Sequence, residues 1–298
     1  MADIELIPIN QSFLKIKASP SILMELHEKF TFMAPNYKFS PLFKNKVWDG
    51  KIRLLNALTA YLPRGLASQV EKYAEEMNYE IISLPESGIP PISDEILKEF
   101  ISGLSLDSKY ITRDFQFEGL RIAIDEKRHL FVSSTGSGKS FIIFLIVSWM
   151  TYVMNKKILI VVPSIQLVSQ LKTDFLTYKP DFDFHIHEIY GGQEKTPDHQ
   201  ITISTYQSIK DLPAQFFEGF DVVICDEAHQ AKAKSIKKIV ENCINAEDRF
   251  GFTGTLDDME TNQLTIEGLF GPVVILNTTE ELIEAGILSP IEIKIPIL

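Results

Sequence analysis

Hydrophobic positions change their pattern along this chain. From about residue 110 onward, the short runs Leu130–Val132, Ile158–Val162, Ile201–Ser204, Val222–Cys225 and Phe250–Thr253 are apolar or broken only by Thr, Ser and Gly, and are separated by stretches of helical spacing. Continuous runs of this kind predict parallel strands buried on both faces, with helices between them. Upstream, Ile4–Ile9 and Phe13–Lys17 read as short strands, Lys51–Leu55 as another and Glu80–Leu84 as a closing one. Ser19-Pro20 marks a helix start, Ser as N-cap and Pro at the first helical position, with Ile22, Leu23, Leu26 and Phe30 following at helical spacing. Leu66, Val70, Tyr73, Ala74 and Met77 form a second helical stripe. The segment from Pro85 to Pro91, with two adjacent prolines and a glycine, interrupts any regular element, and the amphipathic stretch Ser93–Leu104 follows it. The pattern therefore predicts a small α+β amino-terminal domain over 1–88, a linker helix over 89–110 and an α/β unit with a mainly parallel sheet over 111–298. No internal repeat or low-complexity tract is evident.

The most apolar run, Phe141–Met154, is 14 residues long and contains Ser148 and Thr151. A membrane span needs about 20 apolar residues, so this run is expected to be a buried helix in a soluble protein that uses no membrane. The first ten residues carry two acids and no basic stretch, unlike a secretory signal. Two cysteines, Cys225 and Cys243, are too few for a disulfide framework or a Cys-rich zinc site. A cytoplasmic setting follows, the host cytoplasm if the gene is viral. With 298 residues, 45% hydrophobic and 23% charged, the chain is no disordered tail.

Charge changes the picture further. The net charge of −11 argues against wholesale coating of nucleic acid. Yet residues 1–64 hold 9 Lys/Arg against 5 Asp/Glu, a net of +4, while the remainder carries −15. Binding follows the local field rather than the average.

The strongest chemical signal is Ser133-Ser134-Thr135-Gly136-Ser137-Gly138-Lys139-Ser140, between a predicted strand and an apolar helix. Small residues at a helix N-terminus let backbone N–H groups wrap phosphates. Lys139 would reach the β and γ phosphates of ATP, and the Ser140 hydroxyl would ligand Mg²⁺. Ser133 stands where the strict pattern has its first glycine. A second signal is Asp226-Glu227-Ala228-His229, at the end of the run Val222–Cys225 and 87 residues after Lys139. Paired acids at a strand end suit such a loop: Asp226 to hold the metal, Glu227 to orient and deprotonate the attacking water. His185 and His187 lie two apart on one side of a strand, with no further ligand at metal spacing, and read as a polar strand edge.

Ser133–Ser140, Asp226–His229 and Thr253-Gly254-Thr255 resemble motifs I, II and III of superfamily-two helicases, in order and at normal spacing. Pro163–Gln170 is similar to motif Ia, Gly191-Gly192 to motif Ib, Ile203–Ser208 to motif Ic, and Arg113-Asp114-Phe115-Gln116 to the Q-motif. The resemblance implies a RecA-like domain that binds ATP and Mg²⁺ through Arg113, Gln116 and the loop. It further implies DNA-backbone contacts from Ser164, Gln170, Gly192 and Thr205, and coupling of the γ-phosphate site to other motifs by His229, Thr253, Gly254 and Thr255. The segment Phe43–Leu55, around Trp48-Asp49-Gly50-Lys51, is similar to the amino-terminal module of helicases of the bacteriophage UvsW kind. That likeness implies action on branched DNA: fork regression, Holliday-junction migration and unwinding of RNA–DNA loops in recombination and repair. Physically, it places Lys44, Lys46, Lys51 and Arg53 around Trp48, cations for phosphates and a ring for an exposed base. Superfamily-two motors close two RecA-like domains on ATP. Only Leu256–Leu298 follows motif III, so the expectation is a fragment, or half of a split helicase whose second motor domain lies on another chain, with weak turnover by itself. An RNA helicase fragment and a nonhydrolytic DNA-binding regulatory module are the alternative readings.

Overall fold

The computed structural model describes residues 2–84, 90–182, 184–191, 196, 199–228, 233–255 and 263–289. In the amino-terminal part, β1 (Ile4–Pro8), β2 (Phe13–Ala18), β5 (Tyr61–Pro63) and β6 (Ile81–Ile82) form one sheet in the order β5-β2-β1-β6. Helix Pro20–Lys29 begins where Ser19 and Pro20 predict, the Ser19 hydroxyl accepting from the Ile22 N–H. Helix Ala67–Met77 follows β5, and together they enclose a core built on Leu6, Leu14, Leu26, Phe30, Leu62 and Val70. A separate two-stranded ribbon, β3 (Thr31–Met33) antiparallel to β4 (Lys51–Arg53), carries the segment between its strands outward. The strands expected over Lys51–Leu55 and Glu80–Leu84 are both shorter than expected. At β4, Leu54 and Leu55 turn inward to join the core.

The second sheet has seven strands: β7 (Arg128–Ser133), β8 (Ile158–Val162), β9 (Ile186–Ile189), β10 (Ile201–Thr205), β11 (Val222–Cys225), β12 (Asp248–Thr253) and β13 (Val273–Asn277), in the order β13-β7-β12-β11-β8-β10-β9. Every pairing in it is parallel. β8, β10, β11 and β12 are buried along their whole length, which accounts for the unbroken apolar runs of β8 and β11. β10 alternates Ile with buried Thr and Ser, and β12 opens with the buried Asp248 and Arg249. Helix Lys139–Tyr152 is buried from Phe141 to Thr151 and packs Phe144 against Phe175, Tyr178 and Phe182. It is apolar all round because protein covers every face. Among the described residues no helix is long and apolar enough to cross a membrane. His185 immediately precedes β9 and His187 lies within it, and β9 is at the sheet edge as expected.

The two sheets share a close seam. Gln11 Oε1 accepts from Arg64 Nη1 at 2.8 Å and from Arg128 Nη2 at 2.9 Å. Ser12 Oγ donates to the Glu241 carbonyl and accepts from the buried Arg249 Nη2, 2.9 Å away. Gly65 meets helix Gln263–Phe270 so closely that a Cβ there would overlap the Glu267 carbonyl oxygen.

Candidate nucleotide and nucleic-acid site

Strand order decides which loops meet. β12 lies between β7 and β11, so the segments that follow Ser133, Cys225 and Thr253 emerge side by side at the carboxyl end of the sheet. Ligands bind at such ends in open α/β sheets. After β7 the chain turns through Gly136 (φ +83°) and Gly138 (φ +90°), values that L side chains adopt only under strain, and enters the helix at Lys139. Lys139 Nζ donates to the Ser133 carbonyl at 3.3 Å and lies 3.6 Å from Glu227 Oε1. Glu227 itself holds φ +49°, an uncommon conformation for a residue with a side chain. Its N–H donates to Asp226 Oδ1 at 2.9 Å. Burial, and then the neighbouring Glu227, push the Asp226 carboxyl up to about 6. Gly254 completes the cluster: a Cβ there would be 3.2 Å from Thr135 Oγ1 and 3.5 Å from Lys139 Nζ. Thr253 Oγ1 donates to the Thr255 carbonyl at 2.9 Å.

Arg113 and Gln116 reach the same loop. The Arg113 N–H donates to Gln116 Oε1 at 3.0 Å, a capping box at the start of helix Asp114–Glu126. Gln116 Nε2 and Arg113 Nη1 each donate to the Ser137 carbonyl at 3.2 Å. Gln116 is buried, and both ends of its amide are engaged, Nε2 on the loop and Oε1 on the Arg113 N–H. Ser140 Oγ shares a 2.7 Å hydrogen bond with Tyr178 OH, whose pKa burial raises to about 12. The Ser140 hydroxyl and the Asp226 carboxylate are hard oxygen donors of the kind that suit Mg²⁺. Among the described residues, no three His, Cys, Asp or Glu side chains group to hold a metal. A cation here would need phosphate oxygens and water as further ligands.

Asn277 belongs to this site although no motif points to it. A bulge in β13 between Ile275 and Asn277 breaks the register against β7, and such bulges re-aim side chains. Asn277 Oδ1 accepts from the Ser134 N–H at 3.0 Å, and Nδ2 donates to Ser133 Oγ at 2.8 Å. Ser133 Oγ in turn bonds Ser137 Oγ at 2.7 Å. Ser133, standing where a glycine is usual, is thus tied to both the loop and the next strand. The signal available in the sequence is Val273–Asn277 itself, an apolar run closed by one polar residue like those ending at Ser133 and Thr253.

Of the residues matching nucleic-acid motifs, Thr205 ends β10, Ser164 follows the neighbouring β8 after Pro163 as the N-cap of helix Ile165–Tyr178, and Gln207 Nε2 donates to the Pro163 carbonyl at 3.2 Å. Ser164 and Gln170 are exposed, whereas Thr205 is buried with its hydroxyl paired to Ser208. Gly192 and His229 lie outside the described residues. In the amino-terminal ribbon, Lys38, Lys44, Lys46, Trp48 and Arg53 line a groove of about 820 Å³, while Lys51 is not part of its wall. Trp48 is half-buried and its indole N–H donates to the Lys51 carbonyl at 2.9 Å. Asp49 pairs with Arg53, which holds that carboxyl down at about 2 and offsets part of the guanidinium charge.

Comparison with known proteins agrees with the motifs. A family model described as "Type III restriction enzyme, res subunit" matches residues 92–258, more than half of the chain, and one described as "DNA helicase UvsW, N-terminal" matches residues 3–83. The chain is 31% identical over 295 residues to the ATP-dependent DNA helicase uvsW of Enterobacteria phage T4, covering 95% of this chain and 58% of that relative. It is 29% identical over 235 residues to the DNA 3′-5′ translocase XPB2 of Sulfurisphaera tokodaii, covering 79% of this chain and 47% of that relative. The crystal structure of the UvsW helicase from bacteriophage T4 superposes with a TM-score of 0.83 at 29% identity, over 92% of this chain and 99% of that one. The chain thus spans about half the length of the curated relatives it matches.

Proposed function

Because the chain belongs to the type III restriction enzyme res-subunit family and carries an amino-terminal module of the UvsW kind, we propose that it is the ATP-binding half of a DNA helicase that remodels branched DNA in recombination and repair. The carrying observation is the convergence of Lys139, Glu227, Asp226 and Gly254 on one loop, at the carboxyl ends of three adjacent strands. In this reading residues 1–88 grip DNA, 89–110 link, and 111–298 bind ATP. The loop amides and Lys139 hold the phosphates, and Arg113 and Gln116 keep the loop in shape beside the base. Glu227 takes the proton of the attacking water, and Ser140 and Asp226 hold Mg²⁺. When bound, Mg²⁺ neutralises charge on the phosphate oxygens. Thr253 and Gly254, between the loop and the acids, would relay the nucleotide state toward Ser164, just past β8, and Thr205, at the end of β10.

Calorimetric titration with Mg-ATP tests the assignment. Lys139→Ala should lose binding with its thermal melt nearly unchanged, and Glu227→Gln should bind Mg-ATP yet lose hydrolysis, the turnover being measured in a reconstituted or full-length motor. Unaltered affinity in Lys139→Ala would refute the site.

A further inference from the structure

The ribbon β3–β4 carries a knob that the fold does not need. Between its strands the chain is stitched from within: the Ala34 N–H donates to the Gly50 carbonyl at 2.8 Å, and the rings of Tyr37 and Phe43 meet edge to face at 4.8 Å. The Val47 and Trp48 N–H groups both donate to the Leu42 carbonyl, and Trp48 is pinned through its indole to Lys51. Gly50, at φ +81°, lets Tyr37 close over it, since a Cβ would lie 2.6 Å from that ring. The segment is a built, preorganised element. Nevertheless Phe39, Leu42 and Val47 stand 75%, 53% and 73% exposed on it, outside the module's core. Three large apolar side chains left exposed within nine residues of chain, two of them joined by the Val47 N–H to Leu42 carbonyl bond, point to an interaction surface. Residues 37–48 also hold Lys38, Lys44 and Lys46 and no acid, in a chain whose net charge is −11.

We propose that Phe39, Leu42 and Val47 form a wedge that inserts between bases where a DNA duplex branches, while Lys38, Lys44 and Lys46 hold the flanking phosphates. This rests on the DNA reading given above and adds residues and a task to it. Apolar side chains wedged into base steps unstack them, and basic neighbours on phosphates offset the cost. The pinning of Trp48 is part of the device. Its indole N–H is taken, so the ring braces the knob and Phe39 is the aromatic side chain left projecting. A protein partner has no need of three lysines without an acid between Tyr37 and Trp48, whereas a polyanion whose interior is apolar at an open step fits both halves of the surface.

The test is a titration of the chain into a three-way DNA junction labelled with 2-aminopurine at the branch point, read by anisotropy and by 2-aminopurine emission. Wild type should bind and brighten the probe as the base unstacks. The triple variant Phe39→Ala, Leu42→Ala, Val47→Ala should bind plain duplex as before, lose the emission rise and lose about tenfold of the preference for junction over duplex. The single variant Phe39→Ser, with a thermal melt, guards against a collapsed knob. Equal brightening by wild type and the folded variants overturns the wedge alone. Binding without brightening by wild type does the same, whereas no binding to any DNA overturns the DNA reading beneath it. Sedimentation with anionic phospholipid vesicles that depends on the same three residues would assign the knob to a lipid surface and overturn the wedge as well.

Discussion

Asn277 holds one side of the loop before Lys139 with a single amide, accepting from the Ser134 N–H and donating to Ser133 Oγ. Replacing it with Leu keeps the bulk, strands the buried Ser134 N–H at a cost of about 1–3 kcal/mol, and leaves the Ser133 hydroxyl with Ser137 Oγ as its remaining partner. Asn277→Leu should therefore remain folded but bind Mg-ATP about tenfold more weakly by calorimetry; unchanged affinity would mean the loop needs no clamp. Asp226 supplies a prediction with a sign. Its carboxyl titrates at about 6 in the fold against 3.8 in an unfolded chain. As pH rises between these values the unfolded chain releases the proton first, so folding is penalised progressively and the penalty is complete above about pH 6. At most it amounts to about 3 kcal/mol. Without Mg²⁺, Asp226→Asn should then melt higher than wild type at pH 7.5 and equal to it near pH 4, even though it loses Mg-ATP binding. A lower melting temperature at pH 7.5 would contradict the assigned burial cost.

Elements meet most closely where the short helical turn Arg64–Leu66 abuts helix Gln263–Phe270. Backbone rather than a flexible side chain opposes Gly65, so no rotamer change can make room for a methyl group. Gly65→Ala should lower stability by about 1–3 kcal/mol in a denaturant titration. Gly103→Ala is the matched control: nothing lies within 4 Å of its added Cβ, and it should be neutral or slightly stabilising. Equal behaviour of the two variants would show that the seam is looser than its geometry. The same reasoning explains why Arg249 can be buried. Its guanidinium donates to the Val240 and Ala246 carbonyls and to Ser12 Oγ, so a charge with no room for water still has its donors satisfied.

At the scale of the molecule, charge is partitioned between the modules, +4 over residues 1–64 against −15 beyond them. The seam through Gln11, Ser12 and Gly65 joins the basic module to the seven-stranded unit; under the proposed function it would couple a grip on DNA to nucleotide state. Changing Lys44, Lys46, Lys51 and Arg53 together to Ala should weaken binding to branched duplex and flatten the plot of log K against log salt by about 0.9 for each phosphate that is no longer neutralised. Arg53 should contribute least, because Asp49 already pairs with it. Nucleotide affinity should not move. A folded quadruple variant with an unaltered salt slope would remove this module from the DNA path.

Local pattern carries a good deal of this protein. Unbroken apolar runs announce parallel strands because both faces of each strand are covered. Glycines among the small residues before Lys139-Ser140 announce a tight turn into a helix, because glycine takes φ of +83° and +90° without strain. β13 is not legible in the same way, being only partly buried and less regular. What no periodicity encodes is which strand ends become neighbours. Placing β12 between β7 and β11 brings Glu227 to Lys139. Pairing β13 with β7 brings Asn277 to Ser133 across 144 residues of chain. Likewise Trp48 reads from sequence as a free ring among lysines, and only the fold shows its indole N–H donating to Lys51 while Phe39 projects. Composition and spacing determine elements, since those depend on near neighbours along the chain. Partners across the sheet, and which side chain is left facing water, depend on strand order and packing, so only the tertiary structure decides them.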